Sequence, residues 1–532
     1  MIFETIVTVA AAIAAVCSLL AELKRDLMMF QQNSYRPERY GKWLTASGDS
    51  TSMWRLGGLA ILFLTLSTFS RPWLSMILCA VFSASLFISL KSRKYKKPLV
   101  WTARAKRIYS VALLIVCGVT AIIESLFFTG TFLEGVYLAA LCILGCYCGS
   151  HVVILASNLC LRPVEAAITA RYINDARRRL ASMPDLKVIG ITGSYGKTST
   201  KHYLHHILST TFDTLMTPGS YNTTLGVVRT VREHLKPYNE VFIVEMGAKN
   251  PGDIKEICDL VHPSVAIVTA VGPQHLESFR TIERVQATKF ELVDALPHDG
   301  LAVVNDDFEK IADRKVDNTR VVRYGVNAPS ADYRAVDIKY TSQGTEFTIV
   351  GPDDVSIKLS TRLMGECNVS NLMAAVIVAR SLGVEPSKIA AAVASIEPVE
   401  HRLSVKRTPG GITILDDAFN SNPVGSKMAL QVLGSFTSGK RIVVTPGMIE
   451  LGAEQYELNF EFGKTIAQNA DVAIVVGQYN RDAITEGIHS VKNSGCRVEQ
   501  ADSFGEAQNL LSTFVGAGDT VLYENDLPDT FK

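Results

Sequence analysis

Hydrophobic positions follow two regimes along this chain, and the change falls near residue 160. Before it lie five nearly unbroken apolar runs, at 2–20, 56–69, 73–90, 108–128 and 132–155. A helix needs about 20 apolar residues to cross a bilayer core, and shorter ones are tolerated with mismatch. The runs therefore predict a multi-pass membrane region of about five transmembrane helices over residues 1–158. The turn Ser70-Arg71-Pro72 joins the second and third as a tight hairpin. A cleavable signal does not account for the first run, since Lys24 and Arg25 follow it instead of small residues. Residues 159–185, with the Arg177-Arg-Arg cluster, read as a linker helix along the membrane surface. From residue 186 the pattern becomes short β-branched runs alternating with amphipathic stretches. Strands are predicted at 241–244, 265–269 and 302–305, with a strand-rich stretch at 332–362. A second series lies at 413–415, 441–444, 472–476 and 520–523. Strands alternating with helices predict mostly parallel α/β sheets, in a central domain over 186–398 and a Rossmann-like C-terminal domain over 399–532.

Charge adds orientation. The loop 24–55 carries six Lys or Arg and the loop 91–107 carries eight, whereas the intervening turns hold only Arg71. Both basic loops belong inside, so five crossings place the N-terminus outside and everything after Leu161 in the cytoplasm. Contact of 91–107 with anionic membrane lipids is a secondary reading. Glu124, within the fourth run, either lines a polar cavity or sits at the outer interface. A net charge of +1 over 532 residues argues against a general nucleic-acid binder. Of the ten cysteines, seven fall at or before Cys160 and none forms Cys-x-x-Cys, so they read as small apolar fillers.

The stretch 187–201 organises the rest. A β-branched run enters Gly193-Ser-Tyr-Gly196-Lys197-Thr198-Ser199, and a helix follows. Strand, glycine turn and helix N-terminus present backbone N–H groups and a positive dipole end to phosphate. Gly193, Ser194, Gly196 and Ser199 form the cradle, Lys197 reaches the β/γ-phosphates, and the Thr198 hydroxyl suits Mg2+. The spacing departs from the usual four residues before Gly-Lys-Thr: Gly190 is one too far back and Gly193 too close. Glu245 ends the strand at 241–244, and His275 follows the next one. Both stand at the edge where open α/β sheets bind ligands, and Glu245 is a hard-oxygen ligand for Mg2+. Lys289 stands alone among apolar helix positions.

In this order and spacing the chain resembles the Mur ligase superfamily over about residues 186–525. Further matches are Val304-Asn-Asp-Asp307, Gly365-Glu-Cys-Asn-Val-Ser-Asn371, His401-Arg402-Leu403, Asp416-Asp-Ala-Phe-Asn-Ser-Asn-Pro423 and Pro446-Gly-Met-Ile-Glu-Leu-Gly452. The last two are most similar to the branch that adds D-alanyl-D-alanine to UDP-N-acetylmuramoyl-tripeptide. The resemblance implies an ATP-dependent, ADP-forming amide ligase working through an acyl phosphate, with ATP and Mg2+ as cofactors. It implies Lys197 on the β/γ-phosphates, Thr198 and Glu245 on one Mg2+, and His275 on a second. It also implies carbamylation of Lys289, an adenine contact by Asn305, and phosphate and ribose contacts by Arg402 and Asp417.

Where the chain departs from the family bears on substrates. A membrane block stands where soluble members hold the UDP-sugar, Cys367 and Asn459 replace common histidines, and the ending 521–529 differs. The acceptor is therefore expected to be a nucleotide- or lipid-linked cell-wall peptide precursor, and the amine an amino acid or dipeptide, with D-Ala-D-Ala favoured. The competing readings are a polyglutamate- or capsule-type membrane amide ligase and a non-catalytic nucleotide-dependent scaffold.

Overall fold

A computed structural model of the chain describes residues 2–67, 72–93, 95, 97–128, 130–341, 344–418, 421–492 and 494–526. The hairpin residues Ser70 and Arg71, the loop residues Lys94 and Lys96, Phe419-Asn420 and the tail from Leu527 lie outside them. The chain divides after Ala170 into two compact units.

The first unit is helical. Its apolar helices are Ile2–Gln32, Met53–Ser67, Pro72–Ser92, Ala103–Phe127, Phe132–Cys148 and the beginning of Ser150–Ala181. Among the described residues, four helices have the length and apolarity to cross a membrane: Ile2–Gln32, Trp73–Ser92, Ala103–Phe127 and Ser150–Ala181. Two expectations are corrected here. The run 132–155 is not one helix but two, broken at Gly149, and residues 159–181 are not a separate linker helix but continue Ser150–Ala181 through Pro163.

The break has a cause far away in sequence. Arg55, 1% exposed, directs Nη1 to the terminal carbonyls of Tyr147 and Cys148, each at 3.2 Å, and to Ser150 Oγ at 2.9 Å. Its Nη2 meets Glu22 at 3.0 Å, Asp26 at 3.2 Å and Asp49 at 3.4 Å. Ser150 Oγ donates to Asp26 Oδ2 at 2.5 Å. Helix-end carbonyls without an intrahelical partner need a donor, and one guanidinium supplies it while neutralising buried carboxylates. Nearby, Gln31 donates to Val100 O at 2.9 Å, Arg104 to Asn158 Oδ1 at 3.3 Å and Arg107 to Glu165 Oε1 at 2.7 Å. The charged segments, including both basic loops, thus gather at one end of the bundle.

The second unit holds two sheets. The larger is built from β1 (Lys187–Thr192), β2 (Thr214–Met216), β3 (Val241–Glu245), β4 (Val265–Val268), β5 (Leu301–Asn305), β6 (Arg320–Gly325), β7 (Tyr333–Thr341), β8 (Gly344–Gly351) and β9 (Val355–Thr361). Their order is β2-β3-β1-β4-β5-β6-β7-β8-β9, parallel as far as β7 and antiparallel beyond. The smaller contains β10 (Ser404–Arg407), β11 (Thr413–Asp417), β12 (Arg441–Thr445), β13 (Val472–Val476), β14 (Arg497–Ala501) and β15 (Thr520–Glu524), in the order β10-β11-β15-β12-β13-β14. Only β10 is antiparallel to its neighbour. Central strands such as β3 are buried along their whole length, as parallel strands covered on both faces must be. The register pairs Ile191 with Glu245 and Thr192 with Val268, so the ends of β1, β3 and β4 share one edge.

Candidate active site

Strand β1 runs into a tight loop and then the helix Lys197–Leu208. Two glycines are demanded by position. Gly193 has φ +149°, and a Cβ there would lie 2.1 Å from Thr269 Oγ1; Gly196 has φ +79°, and its Cβ would lie 2.3 Å from Asn371 Oδ1. The third, Gly190, is not a loop residue. It lies within β1, where a Cβ would meet Leu292 at 2.5 Å, so it serves close packing of the helix Ile282–Asp294 on the strand. Ser194 braces the loop: its N–H donates to Ala270 O at 2.7 Å, and its hydroxyl is 3.1 Å from both Gly272 O and Gly272 N.

Lys197 donates to Gly193 O at 2.5 Å and Ser194 O at 3.2 Å. Burial pulls its ammonium down to about 8, Glu245 opposing. Thr198 Oγ1 accepts from Arg402 Nη2 at 3.4 Å, so the loop before the smaller sheet reaches the first turn of the phosphate helix. Ser199 is buried on that turn. Glu245, 1% exposed, receives Asn222 Nδ2 on Oε1 at 3.0 Å. Its Oε2 has the Lys201 ammonium 3.0 Å away but no aligned hydrogen-bond donor. Desolvation would raise this carboxyl, yet Lys201 and Lys197 hold it below its ordinary value. A buried, ionised carboxylate oxygen without an aligned donor, at the same edge as a threonine hydroxyl, is a donor set that fits Mg2+.

His275 has left-handed backbone (φ +53°) at the start of the turn Leu276–Phe279, and its Nδ1 pairs with the Glu450 carboxylate. Burial lowers the imidazole despite that carboxylate. No hydrogen bond joins His275 to Thr198 or Glu245. Lys289, 2% exposed, makes no hydrogen bond or ion pair with the described residues. Burial, then the nearby charge of Lys197, holds it well below the lysine range. Asn305 is already engaged, donating to Thr269 O at 2.9 Å and Ser370 Oγ at 3.0 Å. Asp417 accepts from Leu403 N–H at 3.0 Å and is raised by burial to about 6, Arg402 opposing. Cys367 is a half-buried thiol whose desolvation pushes it up to about 12; at neutral pH it is protonated.

Lys197, Lys201 and Arg402 gather around Glu245, with Lys289 near Lys197 and Asp417 beside Arg402, a positive environment suited to a polyphosphate. Sequence reasoning gave no role to Lys201, Asn222 or Glu450. Glu450 lay inside a quoted motif, and Lys201 is one turn beyond Lys197, the helical spacing that puts both on one face.

The family description Mur ligase middle domain matches residues 191–379, and Mur ligase, glutamate ligase domain matches 401–523. A UDP-N-acetylmuramoyl-tripeptide–D-alanyl-D-alanine ligase of Escherichia coli is 31% identical over 327 residues, 60% of this chain and 72% of that protein. The Bacillus subtilis ligase of the same name is 30% identical over 282 residues, 53% of this chain and 60% of that one. The crystal structure of a MurF ligase from Thermotoga maritima in complex with ADP superimposes with a TM-score of 0.59 at 27% identity, covering 67% of this chain and 80% of that one.

Proposed function

The chain belongs to the Mur ligase family, and we propose that it joins D-Ala-D-Ala to the free carboxylate of a muramoyl-peptide cell-wall precursor. It is an ATP-dependent, ADP-forming ligase. The observation that carries this reading is the Arg402–Thr198 contact, which brings a cation from the second half of the site onto the phosphate helix.

In this mechanism a carboxylate oxygen of the acceptor attacks the γ-phosphorus of ATP, and the bond to the β,γ-bridging oxygen breaks. The products are an acyl phosphate and ADP. The amine then attacks the acyl carbon, loses a proton, and inorganic phosphate leaves with the carboxylate oxygen. Lys197 and the N–H groups at the start of the helix bind and align the phosphates; charge neutralisation and positioning dominate phosphoryl transfer. Arg402 adds positive charge when the halves are together, and Asp417 offers an acceptor to the ribose. Mg2+, held by Thr198 and Glu245 with His275 at a second position, would supply charge neutralisation on the phosphate oxygens. A neutral Lys289 amine is the form that takes up CO2, and its carbamate would contribute an anion. For Asn305, whose amide is occupied, the adenine contact falls to its backbone or to a rearranged side chain.

The apolar helices favour a second form of the acceptor, a lipid-linked precursor, because only five residues separate the helix Ser150–Ala181 from β1. Five crossings, with Ser150–Ala181 passing the basic-loop end rather than crossing, would keep the N-terminus outside and the ligase in the cytoplasm. The contacts of Arg104 and Arg107 with that helix support this arrangement. A scaffold has no use for the half-buried Lys197 with the buried Glu245 and Lys289. The test supplies the full-length protein in detergent with ATP, D-Ala-D-Ala and either UDP-muramoyl-tripeptide or its polyprenyl-linked counterpart, and reads products by mass. A dipeptide added to either acceptor, and lost in Lys197→Ala, is the expected result. ATP turnover without dipeptide transfer to either acceptor would reject these substrates.

A further inference from the structure

Glu450 is presented as a built feature. It sits at the tip of the loop 446–452 with left-handed backbone, φ +63°. Three side chains behind it fix the loop. Asn459, fully buried, accepts from Met448 N–H at 2.9 Å and donates to Met448 O at 3.1 Å. Asn480 donates to Pro446 O and Met448 O, both at 2.9 Å. Gln455 accepts from Leu451 N–H at 3.2 Å. Gly447, at φ +78°, has no room for a Cβ, which would lie 2.6 Å from Asn459 Oδ1. Asn459, one of the departures from the family pattern, thus shapes this loop.

The tip reaches across to the larger-sheet half. Glu450 Oε2 meets His275 Nδ1, Oε1 lies 3.4 Å from Lys249 Nζ, and Glu450 O accepts from Glu277 N–H at 3.4 Å. Gly452 lies against the same turn, a Cβ there being 3.2 Å from Glu277 N. A histidine whose one ring nitrogen is held by a carboxylate has its tautomer and ring plane set for the other nitrogen.

We propose that Glu450 is a positioning residue that couples the docking of the C-terminal half to the orientation of His275. The imidazole is aimed into the site only while the loop 446–452 is seated on 275–281. Lys249 shares the carboxylate at the junction. When the halves separate, His275 loses its orienting partner, so ATP is activated only in the docked arrangement. The use made of His275 rests on the ligase reading; the docking itself does not.

The experiment uses the full-length protein in detergent, comparing wild type with Glu450→Gln and Glu450→Ala. Amide hydrogen exchange is followed over 275–281 and 446–454 with and without ADP and Mg2+. Mn2+ binding in the presence of ADP is followed by EPR, and ligase rates give kcat and the KM for ATP. Wild type should show nucleotide-dependent protection of both segments. Glu450→Ala should lose it, weaken Mn2+ and lower kcat by about 10–100-fold, with KM for ATP within about threefold and an unchanged melting temperature. Glu450→Gln, which keeps the shape and a hydrogen bond, should recover part of each. Wild-type exchange, Mn2+ binding and kcat in Glu450→Ala would overturn the proposal, as would loss of kcat only in proportion to loss of folded protein. If no acceptor turns over, exchange and EPR still decide the role of Glu450, and the ligase reading alone fails.

Discussion

Lys201 Nζ stands 3.0 Å from Glu245 Oε2, with both side chains sealed from water at 0% and 1% exposure. The same ammonium donates to Gly219 O at 2.6 Å, while Asn222 from that loop donates to the other carboxylate oxygen. The pair therefore ties the phosphate helix, the end of β3 and the loop 217–223 into one piece. Breaking a buried pair by removing one partner costs about 3–5 kcal/mol, whereas removing both costs far less. Lys201→Met is expected to lose stability of that order, and Lys201→Met with Glu245→Gln to regain most of it. Denaturant unfolding of the single and double variants checks this; strictly additive losses would contradict the coupling.

Asp417 gives a pH signature. Burial raises its carboxyl from 3.8 to about 6. A raised folded-state value means the contribution to stability is complete below the unfolded pKa and is lost as pH rises through the folded one. Between pH 4 and 6, wild type should therefore lose stability relative to Asp417→Asn. The span is on the order of 2 kcal/mol after discounting for partial exposure. Unfolding free energies of both proteins across that range are the measurement, and parallel curves would refute the assignment.

Lys289, held well below the lysine range by burial and without a hydrogen-bond or ion-pair partner among the described residues, is expected to take up CO2. Protein equilibrated with 13C-labelled bicarbonate should show a carbamate carbonyl resonance by NMR that Lys289→Met lacks. Turnover should fall on CO2 depletion and return on readdition. An amine that stays unmodified at saturating bicarbonate would remove Lys289 from the proposed chemistry.

In the helical unit, Arg55→Leu would leave Arg25 alone to offset Glu22, Asp26 and Asp49 and would free the carbonyls of Tyr147 and Cys148. The expected loss is about 3–5 kcal/mol, read as a lower midpoint of denaturation in detergent. Arg93→Leu, at an exposed position, serves as the comparison. Equal behaviour of the two variants would show that the Arg55 cluster carries no structural weight.

What the sequence disclosed follows the range of the interactions. β1, β3, β4 and β5 are short apolar runs that end in or run straight into polar residues, and Gly196-Lys197-Thr198 is local, so both could be read directly. The break at Gly149 could not, because Arg55 imposes it from more than ninety residues away. Strand β14 was missed because Arg497, Glu499 and Gln500 give it little apolar character and it closes one edge of its sheet. The bond of Glu450 to His275 spans 175 positions; no local pattern announces a partner that only folding brings near. Gly190, set aside from the loop by its spacing, gave no sign in sequence of its use in packing the strand against Leu292.

The central claim is that an acceptor carboxylate captures the γ-phosphoryl group before the amine arrives. Acceptor labelled with 18O in its terminal carboxylate, turned over with ATP and D-Ala-D-Ala, tests it most directly. One 18O should appear in the inorganic phosphate for each amide bond formed, the other remaining in the new carbonyl. Phosphate free of 18O alongside normal amide formation would contradict an acyl phosphate and the mechanism built on it.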